Sequence, residues 1–510
     1  MECKYTAQSV NISRDILDAT AEHALETQIT LPDFCSDIRR LLKCRVMPSV
    51  TNKSVSGDRL EIEGEAQLYV CYVDSEGAVR SYETSELFTH SFELPESVGD
   101  ADCRVTVRSG RCGCRAVSER RIDVQCALSL HARVRVNESE DVITDIDDPT
   151  VQIKRGSGAS NMPIGFDEKY LMVSDEMSVG SGEPIRSVLR LEPRVIIDDE
   201  KVIGSKVVVK GELLVKFLYI GEDSGGCFTA SESYPFSQIL DIPGLTESCT
   251  CTADAEVIAC AVQPQSDTDG VRRKAAVSAK LYICVRAYCN AQIPYITDAY
   301  STENALELDF GTLALERVAQ SVNEPLLIDK SIDIPAENIE KIIDVWSDVS
   351  QERCSLADGQ LMMKGSLLVC VLAAADTGEA VYFERTLDFG FACESALDGN
   401  DCEFAASVTP TGISAALNRG ELEVKAEANV RVDVILRTSV SAVVGVKMGD
   451  KLARAYSASS IVVYRAESGE PLWDIAKRYC TSVKALSDLN TLTGDALDDE
   501  KTLVIPVGCV

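Results

Sequence analysis

Lys210-Gly211-Glu212-Leu213-Leu214-Val215-Lys216-Phe217 is one of three versions of the same text in this chain. The others are Glu63-Gly64-Glu65-Ala66-Gln67-Leu68-Tyr69-Val70 and Lys364-Gly365-Ser366-Leu367-Leu368-Val369-Cys370-Val371. Each is an apolar, β-rich run with a glycine near its start. Ile38, Ile185 and Ile339 stand 26 residues before the respective glycines, and each opens an Ile-x-x-Leu/Val/Ile segment. The glycine spacing gives a period of about 150 residues, the size of a whole domain and not of a solenoid unit. A tandem array points to a scaffold or interaction role more than to a single active site.

Followed outward, the three units keep step. The glycine runs lead to the turn residues Asp74-Ser75-Glu76-Gly77, Glu222-Asp223-Ser224-Gly225-Gly226 and Asp376-Thr377-Gly378-Glu379, which suit hairpins. Alternating segments come later: Ile122 to Cys126, Ala275 to Ala279 and Leu422 to Ala426. Period-two alternation marks strands with one buried face. Cys103, Cys251 and Cys402 each open a strand in their unit, which reads as a packing position. The Ile-x-x-Leu/Val/Ile segment is ambiguous between a helical turn and a strand. The expected fold is mainly β: three tandem antiparallel sandwich-like or barrel-like domains followed by a small α+β (βααβ) module. The expected limits are an N-terminal arm over 1–20, repeats over 21–140, 168–295 and 323–445, linkers over 141–167, 296–322 and 446–459, and the last module over 460–507.

At 510 residues the chain is too long for one core. Its 81 acidic and 50 basic residues give a net charge of −31, which repels phosphate backbones and anionic lipid. No nucleic acid partner and no membrane span are expected, and the start of the chain shows no apolar signal region, so the expected location is cytoplasmic. The 20 cysteines are spread along the chain. Many, such as Cys71, Cys126, Cys260, Cys284 and Cys370, sit in apolar runs and read as small buried hydrophobes; oxidative cross-linking in an extracellular or spore-like shell is the alternative.

The last 50 residues change character. Ile461-Val462-Val463-Tyr464 reads as a strand, and Ser468-Gly469-Glu470-Pro471 as a turn. Leu472, Ile475, Ala476 and Tyr479 then share one helical face. A second helix is expected from Val483 to Leu489, capped by Thr481 or Ser482, and Thr502-Leu503-Val504-Ile505 as a closing strand. The stretch Tyr464 to Tyr479, with Leu486, Leu489-Asn490 and Leu503-Val504-Ile505-Pro506, resembles a LysM domain. That resemblance implies a groove for N-acetylglucosamine-containing glycans between the loop after the first strand and the loop before the last. Two departures shift the expectation towards a protein partner. The family's Gly-Asp-Thr-Leu is here Gly469-Glu470-Pro471-Leu472, and its Pro-Gly-Gln is replaced by Asp498-Asp499-Glu500-Lys501. Proline lacks a backbone donor, and the acidic residues add charge beside the groove. The candidate partner- or glycan-binding residues are Gly469, Glu470, Pro471, Leu472, Trp473, Asn490, Leu492 and Thr493. Trp473 reads equally as an anchor for a partner and as core.

Three long β repeats followed by one LysM domain resemble the SipL-like spore-coat morphogenetic family, whose repeats are called SPOCS domains. The resemblance implies a non-enzymatic scaffold in the mother-cell cytoplasm, at the forespore surface. It also implies docking through the LysM end to a coat-basement morphogenetic ATPase similar to SpoIVA, with other coat proteins as further partners. A peptidoglycan-binding cell-wall protein is the alternative, and a hydrolase with its site in one repeat is a third reading. Catalytic chemistry has little support in the residues. His23, His90 and His131 all lie in the first repeat and form no metal-binding pattern. Cys112-Gly113-Cys114 and Cys249-Thr250-Cys251 lack a second pair at zinc-site spacing, and on a strand their cysteines face one side. No catalytic residue, metal or cofactor is expected.

Overall fold

The computed structural model describes residues 4–506 apart from 100, 181, 335–338, 398–401, 419 and 453–460. The first repeat contributes β1 (Tyr5–Thr30), β2 (Ile38–Ser56), β3 (Arg59–Asp74), β4 (Val79–Glu93), β5 (Asp102–Ser118) and β6 (Arg121–Ile146). The second contributes β7 (Val151–Ser178), β8 (Ile185–Ile203), β9 (Lys206–Gly221), β10 (Cys227–Asp241), β11 (Thr250–Gln265) and β12 (Lys274–Ser301). The third contributes β13 (Asn304–Asp333), β14 (Ile339–Ala357), β15 (Gln360–Ala375), β16 (Ala380–Glu394), β17 (Cys402–Asn418) and β18 (Glu421–Lys451). Each repeat is a sandwich of two antiparallel three-stranded sheets, ordered β2-β3-β4 over β1-β6-β5 in the first and likewise in the others. Alternate residues of both sheets fill one core per repeat, for example Leu60, Leu68 and Val70 against Ile122, Leu128 and Leu130.

The recurring glycine has a cross-strand reason. Gly64, Gly211 and Gly365 lie directly opposite Phe88, Phe236 and Phe389 on the next strand. A Cβ on Gly64 would run into the Phe88 ring, and one on Gly211 into Phe236 and the Ile196 carbonyl. The ring thus covers the bare backbone opposite it. The two-residue turns after β2, β8 and β14 also correspond. Gly57, Gly204, Asp358 and Gly359 there all have positive φ, as tight hairpins of this kind require. The ambiguous Ile-x-x-Leu/Val/Ile segments are strands. Register shifts between Ile38 and Arg40 and between Leu41 and Lys43 recur at the matching places in β8 and β14. Each bulge inserts one residue and breaks the period-two signal.

The stretches 141–167 and 296–322, expected as linkers, lie largely in strands, and the arm over 1–20 belongs to β1 from Tyr5 onward. Beyond the reach of β5, β11 and β17, the long strands continue as two-stranded ribbons. Tyr5 to Asp15 pairs with Arg135 to Ile146, and equivalent ribbons extend β7 with β12 and β13 with β18. The ribbons pack on one another: Val10 and Val142 from the first repeat meet Ile293 and Tyr295 from the second and Leu313, Leu315 and Ala442 from the third. Gly156-Ser157-Gly158, within the stretch expected as a linker, is a close crossing. A side chain at Gly156 would strike Tyr295, and one at Gly158 would strike Leu315 of the third repeat. The expected linker over 446–459 is strand up to Lys451, and most of the rest lies outside the described residues.

The three sandwiches also meet one another. Leu42, Leu189 and Ile343 hold the same place in their repeats and join one apolar cluster with Leu218, Leu372 and Trp346. Beside it Arg190 pairs with Asp344 at 2.5 Å, their side chains 9% and 1% exposed. Arg45 of the first repeat and Arg194 of the second both reach Asp348 of the third, at 2.7 and 3.0 Å. On the ribbon side Asp15 accepts from Arg133 and Arg135 of its own repeat and from Arg437 of the third. Arg135 also reaches Glu316, and Arg286 of the second repeat reaches Asp102 of the first. First, second and third repeats therefore touch pairwise.

Candidate docking surface

The C-terminal module has the expected βααβ order: β19 (Val462–Ala466), α1 (Leu472–Arg478), α2 (Val483–Asn490) and β20 (Lys501–Ile505). β19 and β20 pair antiparallel. Pro471 stands at the start of α1 with φ −66°, where a missing N–H costs nothing. Ser482 caps α2 by accepting from the Ala485 N–H at 3.1 Å. Ala466, Leu472, Ile475, Ala476, Leu486, Leu497, Leu503 and Ile505 form the core, and Tyr300 of the second repeat belongs to the same cluster.

The two loops expected to flank a groove are bonded to each other. Gly469 N–H donates to the Leu497 carbonyl at 2.7 Å, Leu472 N–H to Asp495 at 2.9 Å, and Leu497 N–H to Glu470 at 3.2 Å. Pro471 bridges to Ala496. These backbone groups of the two loops are thus engaged within the protein. Glu470 braces the turn: Tyr464 Oη donates to it at 2.9 Å, and Arg478 lies 3.5 Å away.

The eight candidate residues have different fates. Leu472 is buried core. Asn490 is a clamp: its amide donates to the Leu486 and Val504 carbonyls and its Oδ1 accepts from the Val504 N–H. Leu492 is half-buried against the core. Gly469, Pro471 and Thr493 are exposed, and Glu470 is half-buried. Trp473 faces the protein's own second repeat. Its Nε1–H donates to Asp298 Oδ2 at 2.8 Å, and its ring meets Tyr300 edge-on at 4.9 Å. Lys477 reaches both Asp298 oxygens at 2.7 Å, and Tyr300 Oη donates to the Thr481 carbonyl at 2.6 Å. Burial first, then the nearby Cys480 and Asp298, push the Tyr300 hydroxyl well above its usual range.

A surface absent from the candidate residues lies on the outer face of the β19–β20 sheet. Ile461 and Val463 are 79% and 59% exposed. Val463 stands directly opposite the exposed Val504, and the exposed Leu489 lies next to Asn490 at the end of α2. The strand alternation of Ile461 to Tyr464 carried the signal, since it places Ile461 and Val463 on the face opposite the core. Asp498, Asp499 and Glu500 are exposed just before β20.

A chamber of about 540 Å³ lies between the repeats, lined by Arg133, Arg135, Arg286 and Arg437 among others, and these guanidinium groups are all ion-paired. Among the described residues no group of three or more His, Cys, Asp or Glu is placed to hold a metal. His23 and His90 approach edge-on at 6.0 Å, and burial lowers His90. Two cysteine pairs are joined, Cys112–Cys126 and Cys249–Cys289, which corrects the reading of Cys126 as a simple buried thiol. Cys71, Cys260, Cys284 and Cys370 are free thiols. No helix among the described residues is long and apolar enough to cross a membrane.

Comparison with known families matches parts of the first two repeats and the last module. Residues 37–116 and 184–264 match the SipL, SPOCS domain family, spans that run from just before β2 into β5 and from just before β8 into β11. Residues 464–506 match the LysM domain family. Both are non-catalytic families. No curated protein matches the chain.

Proposed function

We propose that this chain, a SipL-like protein of SPOCS domains and a LysM domain, is a non-enzymatic scaffold of endospore coat assembly. It works in the mother-cell cytoplasm at the forespore surface, and its LysM module docks to a coat-basement morphogenetic ATPase similar to SpoIVA. Other coat proteins would attach through the repeats. The observation that carries this reading is the outer face of the β19–β20 sheet. Ile461, Val463 and Val504 leave apolar side chains in solvent, and the exposed Asp498, Asp499 and Glu500 stand just before β20. Such a patch fits a protein surface with an apolar centre and a basic rim. The mutual bonding of the two loops favours a protein partner over a glycan.

The test uses the purified ATPase and purified peptidoglycan with the full chain. Val463→Glu places a charge in the apolar contact, and binding to the ATPase is expected to weaken by about 2 kcal/mol or more, roughly thirtyfold. Unchanged ATPase binding by Val463→Glu would sink the assignment. Retention on peptidoglycan that depends on residues 460–507 would return the module to glycan binding.

A further inference from the structure

We infer that the ribbon tip of the second repeat is a receptor for the LysM module of the same chain, so that the Trp473–Lys477 side of α1 serves as an internal clamp and not as a partner site. The contact is built from both sides. Register slips between Ile296 and Asp298 in β12, and a bulge of this kind re-aims the side chains beside it. Asp298 is thereby the shared acceptor of the Trp473 indole and the Lys477 ammonium group. Its Oδ1 also accepts from the Ala299 N–H at 2.9 Å, which holds the carboxylate in place. Two residues on, Tyr300 enters the module's own apolar cluster and is hydrogen-bonded at its hydroxyl. An indole N–H, an ammonium group and a backbone carbonyl thus find complementary groups on one strand of another domain.

The clamp has a consequence for recognition. It consumes the one tryptophan of the module and turns α1 towards the repeats. The β19–β20 face carries Ile461 and Val463 on the side away from the module's core. The module and the three repeats then move as one body, and a partner held on the sheet face has a fixed position relative to the repeats. This last point rests on the docking function proposed above; the clamp itself does not.

Acrylamide quenching of tryptophan fluorescence in the full chain reads the clamp. The chain has two tryptophans. Trp346 is buried where the repeats meet, so a change in quenching reports Trp473. Asp298→Ala and Tyr300→Phe remove different atoms of the contact. Each is expected to raise quenching and shift emission to the red, the double variant most, while small-angle scattering shows a longer maximum dimension. Quenching and dimensions unchanged in the double variant would overturn the clamp. Binding of the purified ATPase separates the two ideas. With the clamp as an internal site, Asp298→Ala binds the ATPase as the parent chain does. Tighter binding by Asp298→Ala would overturn the reservation of α1 for internal use. Failure of every chain, parent included, to bind the ATPase would count against the proposed function, while the quenching result alone still decides the clamp.

Discussion

Asp344 shows how single residues fix the arrangement of repeats. Lys43, Arg190 and Asp344 occupy the same place in their respective repeats, yet two are basic and one is acidic. Arg190 meets Asp344 where the repeats converge, with its guanidinium group over the Trp346 ring at 4.4 Å. Lys216 adds a second cation 3.2 Å from Asp344. Identical residues at all three places would set like charges together; the mixed set gives the second and third repeats a specific mutual address. Asp344→Ala leaves the buried Arg190 guanidinium group with Glu192, 2.7 Å away, as its remaining carboxylate partner and is expected to destabilise this junction by about 1.5–3 kcal/mol. A fall in the first thermal transition of the full chain, with little change for a control such as Asp474→Ala, is the expected result. Glycines tell a related story. Their recurrence was plain in sequence, but the reason was not, because Phe88, Phe236 and Phe389 become neighbours only through strand register.

At the scale of elements, hairpins and alternating strands were legible, because a half-buried strand repeats every two residues. What sequence hid follows from the places where that period fails. Bulges at Ile38 to Lys43 and their counterparts make strands look like helical turns. Ribbons such as Tyr5 to Asp15 with Arg135 to Ile146 alternate weakly, since little of them is buried: Tyr5 to Ser9 are exposed and Val10 alone is fully buried on that strand segment. Small residues at Gly156 and Gly158 resemble a flexible linker, but they are small because Tyr295 and Leu315 pass close by. The βααβ order of the last module was legible down to Pro471 before α1 and a cap just before α2. The role of Trp473 was not, because its partners Asp298 and Tyr300 are about 175 residues away in an expected linker.

For the whole molecule, the junctions between repeats hold together three sandwiches of one acidic chain. Burial alone would raise the Asp15 carboxyl, but hydrogen bonds from Arg133 and the charges of Arg135 and Arg133 outweigh it and hold the group well below its ordinary value. Glu192 and Asp348 follow the same pattern: burial opposes, and Arg190 with Arg194, or Arg45 with Arg194, prevail. Folded-state values below the unfolded ones mean that these carboxylates contribute fully above about pH 4–4.5. That contribution is lost as pH falls through the lowered folded values. Melting temperature is therefore expected to drop on acidification below about pH 4, and Asp15→Asn should flatten that dependence; an unaltered profile in this variant would remove Asp15 from the account. In the proposed role the LysM module, held on the repeats, brings the coat-basement ATPase to them. Affinity capture from sporulating cells tests it most directly, comparing the full chain with one ending near Ser457. The ATPase is expected to be captured by the full chain and lost from the shortened one; equal capture by both would rule out docking through the LysM module.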